Sequence, residues 1–247
     1  TPHSVASRGL GDVYKRQALA LACDAAGPPE TQQGAATLRL NLGTEPPTLD
    51  WNRATDSVSI TVIEQLMRGL TRLGPDLRPV PALAERWQVS EDGRTWRFEL
   101  RRDVRWSDGV PLEARHFVDS WRRLLDPATA AEYAYFLFDV EGARELNSGA
   151  LTDPEGLGIK ALDRHTLEVR LSDPVVYFPA ITTFMVTFPV RLDLIEQHGE
   201  AWTEAGKLVS LGPFLLEEWL HEYRISLVRN ADYFAGVPAL ERIHGFM

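Results

Sequence analysis

Cysteine is all but absent from this chain: Cys23 is the only one, so no disulfide can close within it and no cysteine-based metal site can be assembled. Long apolar runs are missing as well. No uninterrupted stretch approaches the roughly 20 residues that a membrane helix needs. The most apolar segment, SDPVVYFPAITTFMVTFPV, is cut by Pro174, Pro179 and Pro189. Basic residues are in deficit, 26 against 35 acidic ones, for a formal net charge of −9. That balance argues against nucleic acid or an anionic membrane as a partner, since both reward clustered Lys and Arg; its plainer meaning is solubility.

Catalytic signatures are missing too. No G-x-S-x-G, H-E-x-x-H, Walker A or G-x-G-x-x-G string occurs, which leaves no motif for a nucleophile elbow, a zincin or a phosphate loop. The histidines at 3, 116, 165, 198, 221 and 244 never fall at i, i+4. They read as surface or hydrogen-bonded histidines, and no metal or other cofactor is expected. Glu99 and Glu168 could pair as glycosidase carboxylates, but both alternate outwards on predicted strands and read as solvated. The chain is expected not to be an enzyme.

What is present is a mixed α/β pattern in a chain of 247 residues, long enough for one or two domains. Trp96, Phe98 and Leu100 alternate with Arg97, Glu99 and Arg101, the mark of a half-buried strand. Trp106-Ser107-Asp108-Gly109 makes a turn in which glycine is free to take positive φ. After Pro111, the residues Ala114, Phe117, Val118, Trp121, Leu124 and Leu125 recur at helical spacing, and Asp126-Pro127 stops the helix. Trp106 and Trp121 read as core rather than as stacking platforms.

Elsewhere, Leu38, Leu40 and Leu42 mark a first strand. Ile60, Ile63, Leu66, Met67 and Leu70 mark a helix closed by Gly69 and Gly74. Pro79 and Pro81 precede a predicted short helix. Hairpins are expected around 90–94 and at Asp163-Arg164, with a last one from 214 to 228; 142–158 reads as loop-rich, the segment 174–190 as a buried helix, and 192–200 as a further helix. Residues 1–36 read as leader and linker outside the fold. Within them LALAC resembles the lipobox of bacterial lipoproteins, with Ala20 where Leu is usual, so Cys23 is either a lipid attachment site or a free thiol near the end of the chain.

The string LRRDVRWSDGVPLEARHFVDSWRRLLDPATAAEYAYF resembles the signature region of family 5 extracellular solute-binding proteins, the receptors of bacterial ABC importers for peptides and some other small solutes. LNLGTEPPTLDWNRA, LMRGLTRLGPDLRPVPALAERWQVSEDGRTW, IKALDRHTLEVRLSDPVVYF and the GPFLLEEW and RNADYF elements fit the same family in the same order, over roughly 37–247. Trp51, Ala231 and Phe234 stand where the family has Pro, Pro and Trp, and Leu211 replaces a small polar residue before Gly212.

The resemblance implies a two-lobed periplasmic-binding fold (class II) with mixed sheets and packed helices, of which only part is held here. That part comprises a first segment of lobe I (37–67), a smaller inserted domain (68–192) and an incomplete return to lobe I (193–247), without the second lobe. It further implies capture of oligopeptides outside the cytoplasmic membrane and delivery to the permease, whose cytoplasmic ATPases hydrolyse the ATP. The receptor would be a monomer, periplasmic or extracytoplasmic, tethered to the membrane only if Cys23 is acylated.

The DPATAAEYAYF extension resembles the oligopeptide branch and, by matching position, places Tyr133 at the ligand cleft. Backbone at Thr55, Asp56 and Ser57 would pair with an extended peptide. The same residues have plainer readings: a polar loop capping a helix, and an apolar helix face made of Tyr133, Tyr135, Phe136 and Phe138. A non-peptide solute of the same family (a nickel chelate, glutathione or an oligosaccharide) and an extracytoplasmic holdase are the alternative functions.

Overall fold

Ten strands form among the described residues: β1 (Thr37–Asn41), β2 (Thr71–Leu73), β3 (Pro79–Pro81), β4 (Ala84–Val89), β5 (Thr95–Leu100), β6 (Ile159–Ala161), β7 (Thr166–Arg170), β8 (Phe214–Leu220), β9 (Arg224–Arg229) and β10 (Arg242–Phe246). The computed structural model describes residues 36–247, and Cys23, the segment 1–17 and most of the linker lie outside the described residues. One sheet has the order β1-β10-β9-β8, a second β4-β5-β7-β6, and β2 and β3 pair as a ribbon. The second sheet is nested in sequence between β1 and the hairpin β8–β9. Only β1 against β10 is parallel, with Thr37 opposite Arg242 and Asn41 opposite Phe246.

The alternation in β5 is realised as read. Trp96, Phe98 and Leu100 are buried with Leu167 and Val169 of the neighbouring strand, and Leu171 just beyond its end is buried too. On the other face, Arg97 meets Glu168 at 2.7 Å and Arg86 meets Glu99 at 2.5 Å, both as cross-strand partners. Both carboxylates are therefore held in arginine pairs on the solvated face of the sheet. The helix Arg115–Leu125 closes over this core, with Phe117, Trp121, Leu124 and Leu125 buried. Phe178 fills the gap between sheet and helix, its ring 6.2 Å from Trp96, 6.3 Å from Phe98 and 6.2 Å from Trp121. Trp121 donates its indole N–H to the Thr187 carbonyl at 2.9 Å, so it is a core residue with a satisfied polar edge.

The turn before that helix is tied to the returning chain. Gly109 has φ +88 and its N–H bonds the Trp106 carbonyl at 2.8 Å. Arg191, itself buried, donates from Nη1 to Asp108 Oδ2 at 2.8 Å and grips Asp193 with its other nitrogens. Ser107 and Ser210 exchange two 3.0 Å hydrogen bonds. Beneath the turn, His116 is only 2% exposed. Its Nδ1 accepts from Trp106 Nε1 at 3.3 Å and from the Glu113 backbone N–H at 3.1 Å, closing the start of the helix. Two donors on one ring nitrogen require the neutral imidazole. Burial pushes the His116 pKa down to about 4, with the Arg115 and Arg191 charges acting in the same direction.

Three sequence expectations are corrected. The short helix after Pro81 is strand β4: Ala-Leu-Ala-Glu-Arg has helical propensity, but cross-strand pairing with β5 decides the conformation. The helix that begins at Ser57 stops at Leu66 rather than running on to Leu70. The returning chain takes its end, because the N–H groups of Leu211 and Gly212 both bond the Leu66 carbonyl, at 3.2 and 2.8 Å. A Cβ on Gly212 would lie 2.4 Å from the Leu66 carbonyl carbon, so only glycine allows this approach. The apolar segment 174–190 is not one helix but a single turn, Phe178–Ile181, followed by a 3₁₀ turn, Met185–Thr187. Prolines break it, and the hydroxyls of Thr182, Thr183 and Thr187 each bond the carbonyl three residues back, competing with helical pairing.

The helix Ser57–Leu66 packs on β8 and buries Val62, Ile63 and Leu66. Beside it an apolar groove of about 250 Å³ stays open, lined by Leu38, Leu40, Leu42, Phe214, Leu240 and Ile243 among others. The loop-rich stretch carries a short helix, Ala143–Asn147, and the predicted helix near 192–200 is Leu192–His198.

Candidate functional site

The loop that leads into the helix Ser57–Leu66 is held from below by a polar clamp. Arg123 donates from Nη1 to Asp50 Oδ1 (2.9 Å) and Asn52 Oδ1 (2.8 Å), and from Nη2 to Asp50 Oδ2 (2.5 Å). The Asn52 amide reaches the Val186 carbonyl at 3.2 Å, and Ser120 Oγ donates to the Phe188 carbonyl at 2.6 Å. Trp202 covers the clamp: its ring lies 5.9 Å from the Arg123 guanidinium and meets Trp51 edge-on at 4.9 Å. Trp51, which stands where the resemblance has proline, is therefore a packing residue. The clamp joins the first segment, the helix Arg115–Leu125 and the return path at one point, and it fixes where residues 52–57 emerge.

On that footing, Asp56 caps the helix. Its Oδ1 accepts from the N–H groups of Val58 (3.0 Å) and Ser59 (2.8 Å). The plainer reading of this loop is thus correct for the Asp56 side chain. It leaves the main chain available, because the N–H groups of Thr55, Asp56 and Ser57 find no acceptor among the described residues. Amides without acceptors at a helix start are donors that a carbonyl-bearing ligand can satisfy.

Tyr133 sits directly on this loop. Its hydroxyl donates to the Thr55 carbonyl at 3.1 Å, across 78 residues of sequence. The structure therefore brings Tyr133 and Thr55 into contact, with Asp56 and Ser57 continuing the same strand of backbone. The plainer reading holds in part: Tyr133, Phe136 and Phe138 pack partly buried against the core, and Tyr135 does not. Residues Glu132–Leu137 are a 3₁₀ helix, in which Tyr133 and Phe136, three residues apart, share one face. Tyr135 remains 55% exposed. Phe138 turns away beneath Arg144, 4.8 Å from the guanidinium.

Of these rings, Tyr135 and Phe136 form an aromatic stack with Phe184. Tyr135 lies on Phe136 (4.8 Å between centroids, 25° between planes) and Phe136 on Phe184 (4.7 Å, 28°). Tyr133 stands across all three at 5.6–5.9 Å. Phe184 was not foreseen from the sequence. It lies in the segment read as a buried helix, and nothing in its local pattern separates it from the core phenylalanines around it. Phe184 also lines an open cavity of about 400 Å³ together with Glu64, Arg68, Gly69, Arg72 and Thr183.

No nucleophile, base and oxyanion donor converge here, and among the described residues no group of three or more His, Cys, Asp or Glu side chains could hold a metal ion. No helix of the described residues is long and apolar enough to cross a membrane. The arrangement offers binding: main-chain donors, one oriented tyrosine and an aromatic wall.

Comparison with known proteins points the same way. The family profile described as bacterial extracellular solute-binding proteins, family 5 Middle, matches residues 78–245. The periplasmic oligopeptide-binding protein OppA of Escherichia coli (strain K12) is 40% identical over 202 residues, which are 80% of this chain and 36% of that protein. The oligopeptide-binding protein OppA of Bacillus subtilis (strain 168) is 38% identical over 205 residues, 82% of this chain and 37% of that protein. Among solved structures, Listeria monocytogenes OppA bound to peptide superposes with a TM-score of 0.82 at 33% identity, covering 87% of this chain and 43% of that one. The chain thus spans little more than a third of the length of the curated relatives it matches.

Proposed function

We propose a receptor function from one premise: the chain belongs to the bacterial extracellular solute-binding proteins of family 5, and its α/β fold is that of periplasmic peptide-binding proteins over the matched residues. It captures oligopeptides outside the cytoplasmic membrane for a peptide ABC importer and performs no chemistry on them. The observation that carries this is the Tyr133 hydroxyl bonded to Thr55 beside three amides without acceptors. A peptide laid along residues 55–57 would accept from those amides through its own carbonyls. Every peptide presents such carbonyls, so recognition of this kind is indifferent to most of the ligand's sequence. Bridging water accommodates the side chains that the protein does not touch.

The nesting of one sheet within the other supports the assignment of 37–67 and 193–247 to lobe I and of 68–192 to an inserted domain. A second lobe closing over the peptide by a hinge would complete the site and present the loaded receptor, as a monomer, to a permease driven by cytoplasmic ATPases. Acylation of Cys23 would tether it to the membrane from the extracytoplasmic side.

The test is saturation-transfer NMR on the full-length protein, which carries the second lobe, with a mixture of tri- to pentapeptides. Binding is expected, and Tyr133→Ala should weaken it about tenfold by removing both the ring and the hydroxyl that positions Thr55. A response to a nickel chelate, glutathione or an oligosaccharide, with none to any peptide, would overturn the peptide assignment. Suppression of client aggregation without a saturable site would point to a holdase instead.

A further inference from the structure

The aromatic stack next to the amides of residues 55–57 is more than packing. Phe136 and Phe184 pack partly buried against the core, and Tyr135, 55% exposed, ends the row on the surface. The row also has a direction. It runs from Tyr135 through Phe136 to Phe184, and Phe184 borders the cavity of about 400 Å³. Tyr133 meets Tyr135 and Phe136 edge-on and Phe184 at a tilt, and is itself anchored to Thr55, so the stack is fixed relative to residues 55–57. A peptide whose carbonyls meet those amides must pass beside the stack. Side chains of an extended peptide alternate in direction, so one of them faces this wall.

We propose that the Tyr135, Phe136 and Phe184 rings and the cavity beside them form a subsite that selects an aromatic side chain of the bound peptide. The inference rests on the peptide-receptor reading above and adds to it a side-chain preference that main-chain recognition alone would not give. Aromatic pairs gain from offset or edge-on contact beyond the area they bury. The charges set the competitor. Arg68 and Arg72 against the one carboxylate of Glu64 leave the cavity lining net positive. A lysine or arginine side chain, which the ring faces would otherwise attract, is repelled there.

The experiment uses the full-length protein with both lobes and tetra-alanine peptides carrying a single Phe, Leu or Lys at each position in turn, with binding read by saturation-transfer NMR. At one position, Phe should bind roughly two- to tenfold tighter than Leu, and Lys more weakly than either. Tyr135→Ala, a change at an exposed side chain, should reduce that preference for Phe over Leu at the same position. Phe184→Leu keeps most of the volume and should reduce it too. Binding of all peptides with no Phe preference, or a preference that survives both variants, would overturn the inference and leave the receptor reading standing. Tightest binding of the Lys series would also overturn it. No binding of any peptide would remove the receptor reading itself.

Discussion

Arg123→Ala should cost the fold about 3–5 kcal/mol, the penalty for stranding a buried carboxylate without its partner. The Arg123 side chain is 16% exposed and that of Asp50 6%, at a separation of 2.5 Å. Removing the guanidinium deprives Asp50 of two hydrogen bonds and Asn52 of one. Burying ions is itself costly, so the pair need not stabilise the fold relative to an apolar replacement of the same shape. That asymmetry gives the test its form. In urea unfolding, Arg123→Ala and Asp50→Ala should each be strongly destabilised, whereas Arg123→Met with Asp50→Leu should recover much of the loss. A single variant that loses less than about 1 kcal/mol would show that the clamp is solvated in solution and does not fix the loop.

The second large effect is a loss of stability in mild acid. His116 has an ordinary pKa of 6.5 when unfolded and about 4 in the fold, so between those values the unfolded chain binds the extra proton. Stability from this group is complete above pH 6.5 and falls as pH drops towards 4, by up to about 3 kcal/mol at 1.36 kcal/mol per pH unit. Arg115 and Arg191 face the ring and add to the depression, while Glu113 and Asp193 oppose it. The Glu113 and Asp193 carboxylates are held below their usual range, chiefly by hydrogen bonds from Arg115 and Arg191, so they contribute their own loss at lower pH. His116→Gln isolates the histidine, since the amide oxygen can accept from the Glu113 N–H but does not titrate. Unfolding free energies from pH 7 to 4 should then be flatter in the variant. Identical slopes would mean that His116 is charged in the fold.

The strands were legible in the sequence wherever one face is buried and the other solvated. Trp96, Phe98 and Leu100, and Leu167, Val169 and Leu171, announce their sheet because alternation is the signature of that environment. The helix Arg115–Leu125 was equally plain. Elements decided by partners distant in sequence were not. Residues 84–88 become strand only because β5 is adjacent, and the helix from Ser57 ends at Leu66 because Gly212 arrives there. The site divides in the same way. Tyr133 and residues 55–57 came from resemblance to a family, and the sequence itself could not choose between ligand contact and local packing. The clamp of Asp50, Asn52 and Arg123 left no signal, since Arg123 lies 71–73 residues from its two partners. Phe184 gave none either. A ring that serves a surface and a ring that fills a core look alike in a chain of letters.

The parallel pairing of β1 with β10 has a consequence for the order of folding. Thr37 and Arg242 are neighbours in the sheet, yet nearly the whole described chain separates them. Closing so long a loop costs on the order of 5 kcal/mol in chain entropy before any contact across it is made. The hairpins β4–β5, β6–β7 and β8–β9 face no such cost, because their strands lie close in sequence. They can form as local units while β1 waits. In pulse-labelled hydrogen exchange, the amides of β1 and β10 should gain protection in the slowest phase, after those of the hairpins. The first of the described strands is thus the last to find its place, held out of the sheet until β10 is available.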